Sequence, residues 1–228
     1  MSRRQENEIT FYTVDNIKLC ELMDGFLESY AENCSENYKY ESRLFMLFEG
    51  SQHTKNKLTI KLQKGNLKYR FSFKDFLAES GNIQKYLEKH MKWIEVDKID
   101  KNFFGKSIYS CYYKDKYIKQ FKYNGVKYKI SGDRVVFIDL ENCKVKDVVY
   151  YIEIESKEDF SVDLQHISFS YFVKKKKMNI IDEKHTKYKI GSSYYKNGLS
   201  NIWSNCEVFE NIVFNVYKQI YKYLINNP

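Results

Sequence analysis

From Asp15 to Tyr30 the apolar positions fall at Leu19, Leu22, Met23, Phe26, Leu27 and Tyr30, the i, i+3, i+4, i+7 spacing of one helix face. At Tyr40 the period changes. "RLFMLFEG", "KLTIKLQK" and "LKYRFSF" alternate apolar with polar and are split by "SQHTKN" and "KGN", which predicts three antiparallel strands. "FKDFLAES" and "NIQKYLEKHMKWIEV" return to helical spacing through Ile83, Leu87, Met91 and Ile94, interrupted at Gly81, and predict an inserted helix near 74–95. Strands then resume. "KSIYSCYY", "KYIKQFKY" and "VKYKI" surround Asn124-Gly125, a strong hairpin signal, and "RVVFIDL", "VKDVVYYIEIES" and "DLQHISFSYFV" extend the β region. The chain closes on an apolar stripe through Val208, Ile212, Phe214, Val216, Ile220 and Leu224. Ser204 and Glu207 are spaced as a capping box, so a helix is predicted over 204–225.

Eight or more short strands between helical ends favour an α+β fold, an antiparallel β-sandwich flanked by helices. Residues 1–35 read as an N-terminal helical arm and 40–200 as the sandwich. No Pro/Gly/Ser-rich stretch divides the chain, so 1–228 is read as one domain.

The five cysteines, Cys20, Cys34, Cys111, Cys143 and Cys206, are far apart and form no C-x-x-C pair, and no His stands at zinc-finger spacing. Reduced structural thiols are expected, with no disulfide framework and no metal site. No apolar run approaches the roughly 18 residues that cross a bilayer, so a cytosolic chain is expected. The net charge of +8 comes from 38 Lys and Arg against 30 Asp and Glu. With 21 Tyr available as stacking platforms, that charge keeps open a cytosolic nucleic-acid-binding protein. The basic residues are nonetheless interleaved with acids, and the one dense run is Lys174 to Lys177.

The most enzyme-like stretch is "VYYIEIES", where Glu153 and Glu155 stand on one face of a strand and could together hold a divalent cation. Metal-dependent RNA triphosphatases of the tunnel type use two Glu-x-Glu strands, and this segment resembles one. The other Glu-x-Glu in the chain, Glu6-Asn7-Glu8, lies ahead of the predicted helix. It carries Thr10 where the first strand of that family carries a basic residue, and inward Arg is scarce. Glu153 and Glu155 are therefore expected to be ion-paired residues of a sheet strand, and a metal-dependent RNA triphosphatase using them is the lesser alternative. No Ser/His/Asp or Cys/His order emerges, so no catalytic residue is assigned.

A wider resemblance runs through "YYIEIESKEDFSVDLQHISFSYF", "YKIGSS" and "IWSNCEVFENIVFNVYKQIYKYL". In order and spacing these are similar to the C-terminal part of the cypovirus polyhedrins. The matching residues are Tyr151, Glu153, Ser161, Ile167, Ser168, Tyr188, Ile190, Gly191, Ser192, Ser204 and Cys206. The resemblance implies a structural protein rather than an enzyme. Its subunit would be a β-sandwich, forming trimers that pack into intracellular crystals around virions in the host cytoplasm, with no membrane partner. No cofactor is required, although some polyhedrins bind nucleotides. The first helix, with Leu19, Leu22, Met23, Phe26 and Leu27, would reach into neighbouring subunits. Release would follow alkaline dissolution in the insect gut. Tyr and Lys both titrate near ~10, which makes Tyr109, Tyr112, Tyr113, Tyr194 and Tyr195 the candidate switch.

Overall fold

Asn124 (φ 48°) and Gly125 (φ 75°) occupy the two left-handed positions of a tight turn between β7 (Ile108–Tyr123) and β8 (Val126–Asp139). Lys64 (φ 51°) and Gly65 (φ 81°) do the same between β4 (Thr54–Gln63) and β5 (Asn66–Ser80). The computed structural model describes residues 2–48, 54–80, 82–99, 107–182, 184–195 and 206–226. Its remaining strands are β1 (Ser2–Thr13), β2 (Asn33–Cys34), β3 (Lys39–Phe48), β6 (Ile83–His90), β9 (Lys144–Ser156) and β10 (Asn179–Ile180). The helices are α1 (Leu19–Tyr30), α2 (Val162–Phe169), α3 (Lys187–Ser193) and α4 (Cys206–Asn226).

The strand order β1-β6-β5-β4-β3-β7-β8-β9 returns to its start, because β1 also pairs with β9. Eight antiparallel strands thus close into a barrel, with β2 and β10 as short additions on β7 and β1. The α+β content stands, but the two sheets of a sandwich are replaced by one sheet curled on itself, which leaves the ring without a free edge.

The apolar side of each long strand faces outward, where helices cover it. Leu44, Met46, Leu58, Ile60, Tyr69 and Val136 pack beneath α4, which buries Phe209, Val213, Val216, Tyr217 and Ile220. Ile9, Phe11, Ile130, Ile152 and Ile154 pack beneath α1 and α2. Tyrosine hydroxyls tie the helices down: Tyr217 of α4 donates to the Ile60 carbonyl of β4 (3.0 Å), and Tyr171 donates to the Leu22 carbonyl of α1 (3.3 Å).

Several sequence expectations change. The inserted helix near 74–95 is instead the β5–β6 hairpin, since Ile83 and Leu87 share a face in a strand as readily as in a helix. "DLQHISFSYFV" is α2 followed by a π-helical turn at Ser170–Lys175, started by the Ser161 hydroxyl, which accepts the Leu164 N–H (3.1 Å). "YKIGSS" is α3, capped in the same way by Thr186. Residues 1–35 are no free arm. β1 is the strand that closes the ring, and Leu19, Leu22, Met23, Phe26 and Leu27 are buried in the chain's own core, at most 9% exposed. Where β8 passes under this helix, a Cβ on Gly132 would come within 2.7 Å of Met23 Sδ. The apolar stripe read as a docking face is an internal packing face. Ser204, expected to cap the last helix with Glu207, and Gly81 lie outside the described residues.

Candidate active site

Because side chains alternate across a strand, putting the apolar set outside puts the charged set inside. Glu6 and Glu8 of β1, Glu41 and Arg43 of β3, Lys57 of β4, Arg70 and Lys74 of β5, Glu88 of β6, Lys114 and Lys116 of β7, Lys129 of β8, and Glu153 and Glu155 of β9 line one lumen of about 910 Å³. Lys187, the first residue of α3, enters from outside the barrel. Eleven Lys and Arg line this space against seven Glu. The buried Asp133 adds one acid, so the lumen keeps a positive excess. Farther in, Tyr12, Phe45, Leu47, Tyr112, Val135, Phe137, Val149 and Tyr151 form an apolar plug, backed by Ile181, Tyr188 and Ile190.

The register gathers the acids. Glu8 lies directly opposite Glu155 across the β1–β9 seam, while Glu6 and Glu153 are each one pleat along on the same inner face. Like charges facing across a strand pair destabilise a sheet, so this seam holds only with counter-charge close by. Lys74 donates to Glu8 Oε2 (2.8 Å), Lys116 to Glu153 Oε2 (2.9 Å) and Glu155 Oε1 (3.4 Å), and Lys114 and Lys187 to Asp133 Oδ2 (2.9 and 3.0 Å). Lys187 also pairs with Glu153 and Lys129 with Glu155. On β6, the strand next to β1, Glu88 sits between Lys57 (3.4 Å) and His90 Nε2 (3.1 Å).

Burial opposes the charge of Glu153, but Lys116, Lys187 and Lys114 outweigh it and hold the carboxyl well below the usual range. Glu155 is lowered in the same way, against burial, by Lys116 and Lys129. For Lys114 burial wins. Assisted by Lys116 and Lys187 and opposed by Asp133, it pushes the ammonium pKa down to about 8. Replacing buried ion pairs by well-packed apolar residues is often neutral or stabilising, so a lumen this charged costs stability that a merely structural barrel would not spend.

The site therefore brings together Glu153 and Glu155, singled out from sequence, with Glu6 and Glu8, noted there but set aside. Sequence reasoning missed the lysines. Their signal was the alternation Lys114-x-Lys116, which puts both side chains on one face of β7, the face that lines the lumen and brings Lys116 to Glu153. The five tyrosines are spread through the fold. Tyr112, Tyr113 and Tyr195 are buried, and Tyr109 and Tyr194 are half-buried. Tyr113 donates to Asp115 Oδ1 (2.8 Å), Tyr194 to Asp147 Oδ2 (3.2 Å) and Tyr195 to the Ile138 carbonyl. Of the five, Tyr112 reaches the lumen.

Four carboxylates on adjacent strands offer hard oxygen donors of the kind that suit Mg²⁺ or Mn²⁺. In the present arrangement lysine ammonium groups stand against them, and among the described residues no three acidic, His or Cys side chains gather at one point. The donor type fits a divalent cation, with the lysines balancing the charge that such an ion would balance.

No protein-family model and no curated protein matches the chain. Solved structures similar to it include a conserved hypothetical protein from Pyrococcus furiosus (21% identity, 73% of this chain and 88% of that one, TM-score 0.46). Another is a putative adenylyl cyclase from Hippeastrum described as having a dominant triphosphatase activity (11% identity, 86% and 98%, TM-score 0.47). A third is the RNA triphosphatase domain of a mimivirus mRNA capping enzyme (11% identity, 74% and 88%, TM-score 0.45). The expectation of a non-enzyme is corrected here: the solved structures similar to the chain include proteins described as triphosphatases, and the ion-paired Glu153 and Glu155 belong to a charged lumen.

Proposed function

We propose that the chain is a divalent-cation-dependent triphosphatase that takes a linear triphosphate into the barrel and hydrolyses its terminal phosphoanhydride bond. The observation that carries this reading is the pairing of Glu6/Glu8 with Glu153/Glu155 on neighbouring strands of a closed lumen otherwise rich in Lys and Arg. In phosphoryl transfer most of the catalytic work is positioning and charge stabilisation around the transferred group. Lys114, Lys116, Lys187 and Arg70 are the groups that would surround phosphate oxygens, and the barrel wall would restrict water to the lumen. A divalent cation bound by Glu6, Glu8, Glu153 and Glu155 would supply further neutralisation of the charge on the phosphate being cleaved.

The test is release of inorganic phosphate from tripolyphosphate and from ATP by the purified chain with Mg²⁺ or Mn²⁺. Release is expected, and Glu8→Gln or Glu153→Gln should each lower it by a factor on the order of a hundred. No release from either substrate with either ion, at a protein concentration where the folded state is verified, overturns the reading.

A further inference from the structure

Past His90 the chain stays beside β5: the Met91 N–H donates to the Phe71 carbonyl (2.9 Å), and Ile94 exchanges two hydrogen bonds with Tyr69 (2.8 and 2.9 Å). Tyr69 and Ile94 face outward, into the cluster under α4. Alternation therefore turns Trp93 to the lumen side, next to Arg70. Around the half-buried Trp93 ring stand Lys61 Nζ at 4.4 Å, Arg70 Cζ at 4.7 Å and Arg43 Cζ at 5.7 Å from its centroid. Arg43 and Arg70 belong to the lumen lining, and Trp93 with Lys61 adjoins it. Arg70 Nε is buried without a hydrogen-bond partner.

Three cations on one aromatic ring repel one another, and the ring quadrupole offsets part of that, as does Glu41, which pairs with Arg43 (2.7 Å). An anion engaging these guanidinium and ammonium groups would add the counter-charge that the cluster still has room for, and drawing them toward it would free a face of the indole. We infer that Trp93 is a stacking platform for a nucleobase, so that a nucleobase-bearing triphosphate is bound with its phosphates between Arg43, Arg70 and the inner lysines and its base on the indole. This rests on the triphosphatase reading and names the substrate class it selects. A free nucleotide and the 5′-triphosphate end of an RNA present the same chemistry at this point, and the two are separated by assay.

Steady-state kinetics of the full chain would use tripolyphosphate, ATP and a 5′-triphosphate oligoribonucleotide, with the wild type, Trp93→Ala and Trp93→Phe. The ratio of kcat/KM for each nucleobase substrate to that for tripolyphosphate should fall about tenfold in Trp93→Ala, mainly through KM, and recover in Trp93→Phe, because any aromatic face stacks a base. Whichever nucleobase substrate shows the larger ratio in the wild type is the preferred one. Equal losses for all three substrates would mean that Trp93 only positions Arg43 and Arg70, and the inference falls. If Trp93→Ala does not fold, or no substrate is hydrolysed, indole fluorescence decides. In a Trp203→Phe chain a non-hydrolysable ATP analogue should quench Trp93 and tripolyphosphate should not, and absence of that difference overturns the platform independently of the triphosphatase reading.

Discussion

Lys116→Met is the substitution that most directly separates the structural from the functional part of the lumen. Its ammonium lies 2.9 Å from Glu153, 3.4 Å from Glu155 and 3.8 Å from Asp133; the Lys116 side chain is 13% exposed and the three acids 10%, 5% and 0% respectively. Removing it leaves three buried carboxylates with one cation fewer, and breaking a buried pair in this way costs about 3–5 kcal/mol. For a chain of this size that lowers the melting temperature by roughly 10 °C. Adding Glu153→Gln to the same chain removes one of the uncompensated charges, so the double variant should regain about half of the loss. Activity should not return with stability, because both substituted groups belong to the proposed phosphate and cation surroundings. The pH dependence follows from the carboxylates. Their folded-state pKa values are held low in the wild type, so their stabilisation is present above the ordinary carboxylate range and is lost as pH falls through the folded values. Without Lys116 those values rise, so the gap between variant and wild type should narrow at about pH 4–5, where the stranded acids take up protons. Thermal melts at pH 7 and pH 4.5 with phosphate release in parallel are the assay. A single variant that melts like the wild type, or a double variant destabilised by the full sum of the two singles, would refute the coupled network.

Two further outcomes follow from the same geometry. The Lys114 pKa lies near 8, so its positive charge is lost just above neutrality: KM for a triphosphate should rise from pH 8 to pH 9.5, and Lys114→Arg should flatten that rise. Stability moves the other way, since below about 8 folding bears the cost of a buried proton that the unfolded chain holds freely up to about 10.4; a KM indifferent to pH over this interval would remove Lys114 from the phosphate site. A Cβ on Gly191 would lie 1.7 Å from Ser110 Oγ and 2.6 Å from its Cβ, so Gly191→Ala should push α3 off β7, draw Lys187 away from Glu153 and Asp133, and lower both melting temperature and kcat/KM. Ser110→Gly in the same chain should restore both, and restoration of melting alone would detach Lys187 from activity.

Periodicity located most of the strands because it is a local property. The runs at "RLFMLFEG", "KLTIKLQK" and "VKDVVYYIEIES" are β3, β4 and β9, and Asn124-Gly125 makes the predicted turn. What periodicity cannot carry is which face of a strand meets water. An alternating strand in a sandwich points its apolar side inward; here the apolar side points outward to α1, α2 and α4, and Lys114, Lys116 and Lys129 point inward. The same inversion hid β1. In "RRQENEIT" the inner positions are Glu6, Glu8 and Thr10, and its pairing with both β6 and β9 joins residues more than seventy positions apart, beyond any window of local pattern. Thr10, taken as a departure from the triphosphatase pattern, lies opposite Glu153, and the positive charge beside that glutamate comes instead from Lys116 and from Lys187 on α3.

The closed ring explains why acids and bases occur together in the lumen. Eight strands with helices on the outside leave an interior too wide to dispense with side chains, and the positions facing it are charged along most of its length. Lysines alone would repel one another and carboxylates alone would hold the seam at Glu8 and Glu155 apart; interleaved, each keeps the other ionised, which is the sense of the lowered carboxyls of Glu153 and Glu155 and the raised ammonium of Lys116. A polyanion arriving with a divalent cation brings the same two kinds of charge. Lysine can turn from carboxylate to phosphate, and carboxylate from lysine to cation, without leaving any ion in the low-dielectric interior unpaired. On the proposed function the resting ion pairs would keep the barrel open and folded until substrate replaced them, and the excess of Lys and Arg over acids would set the sign of the ligand that could do so.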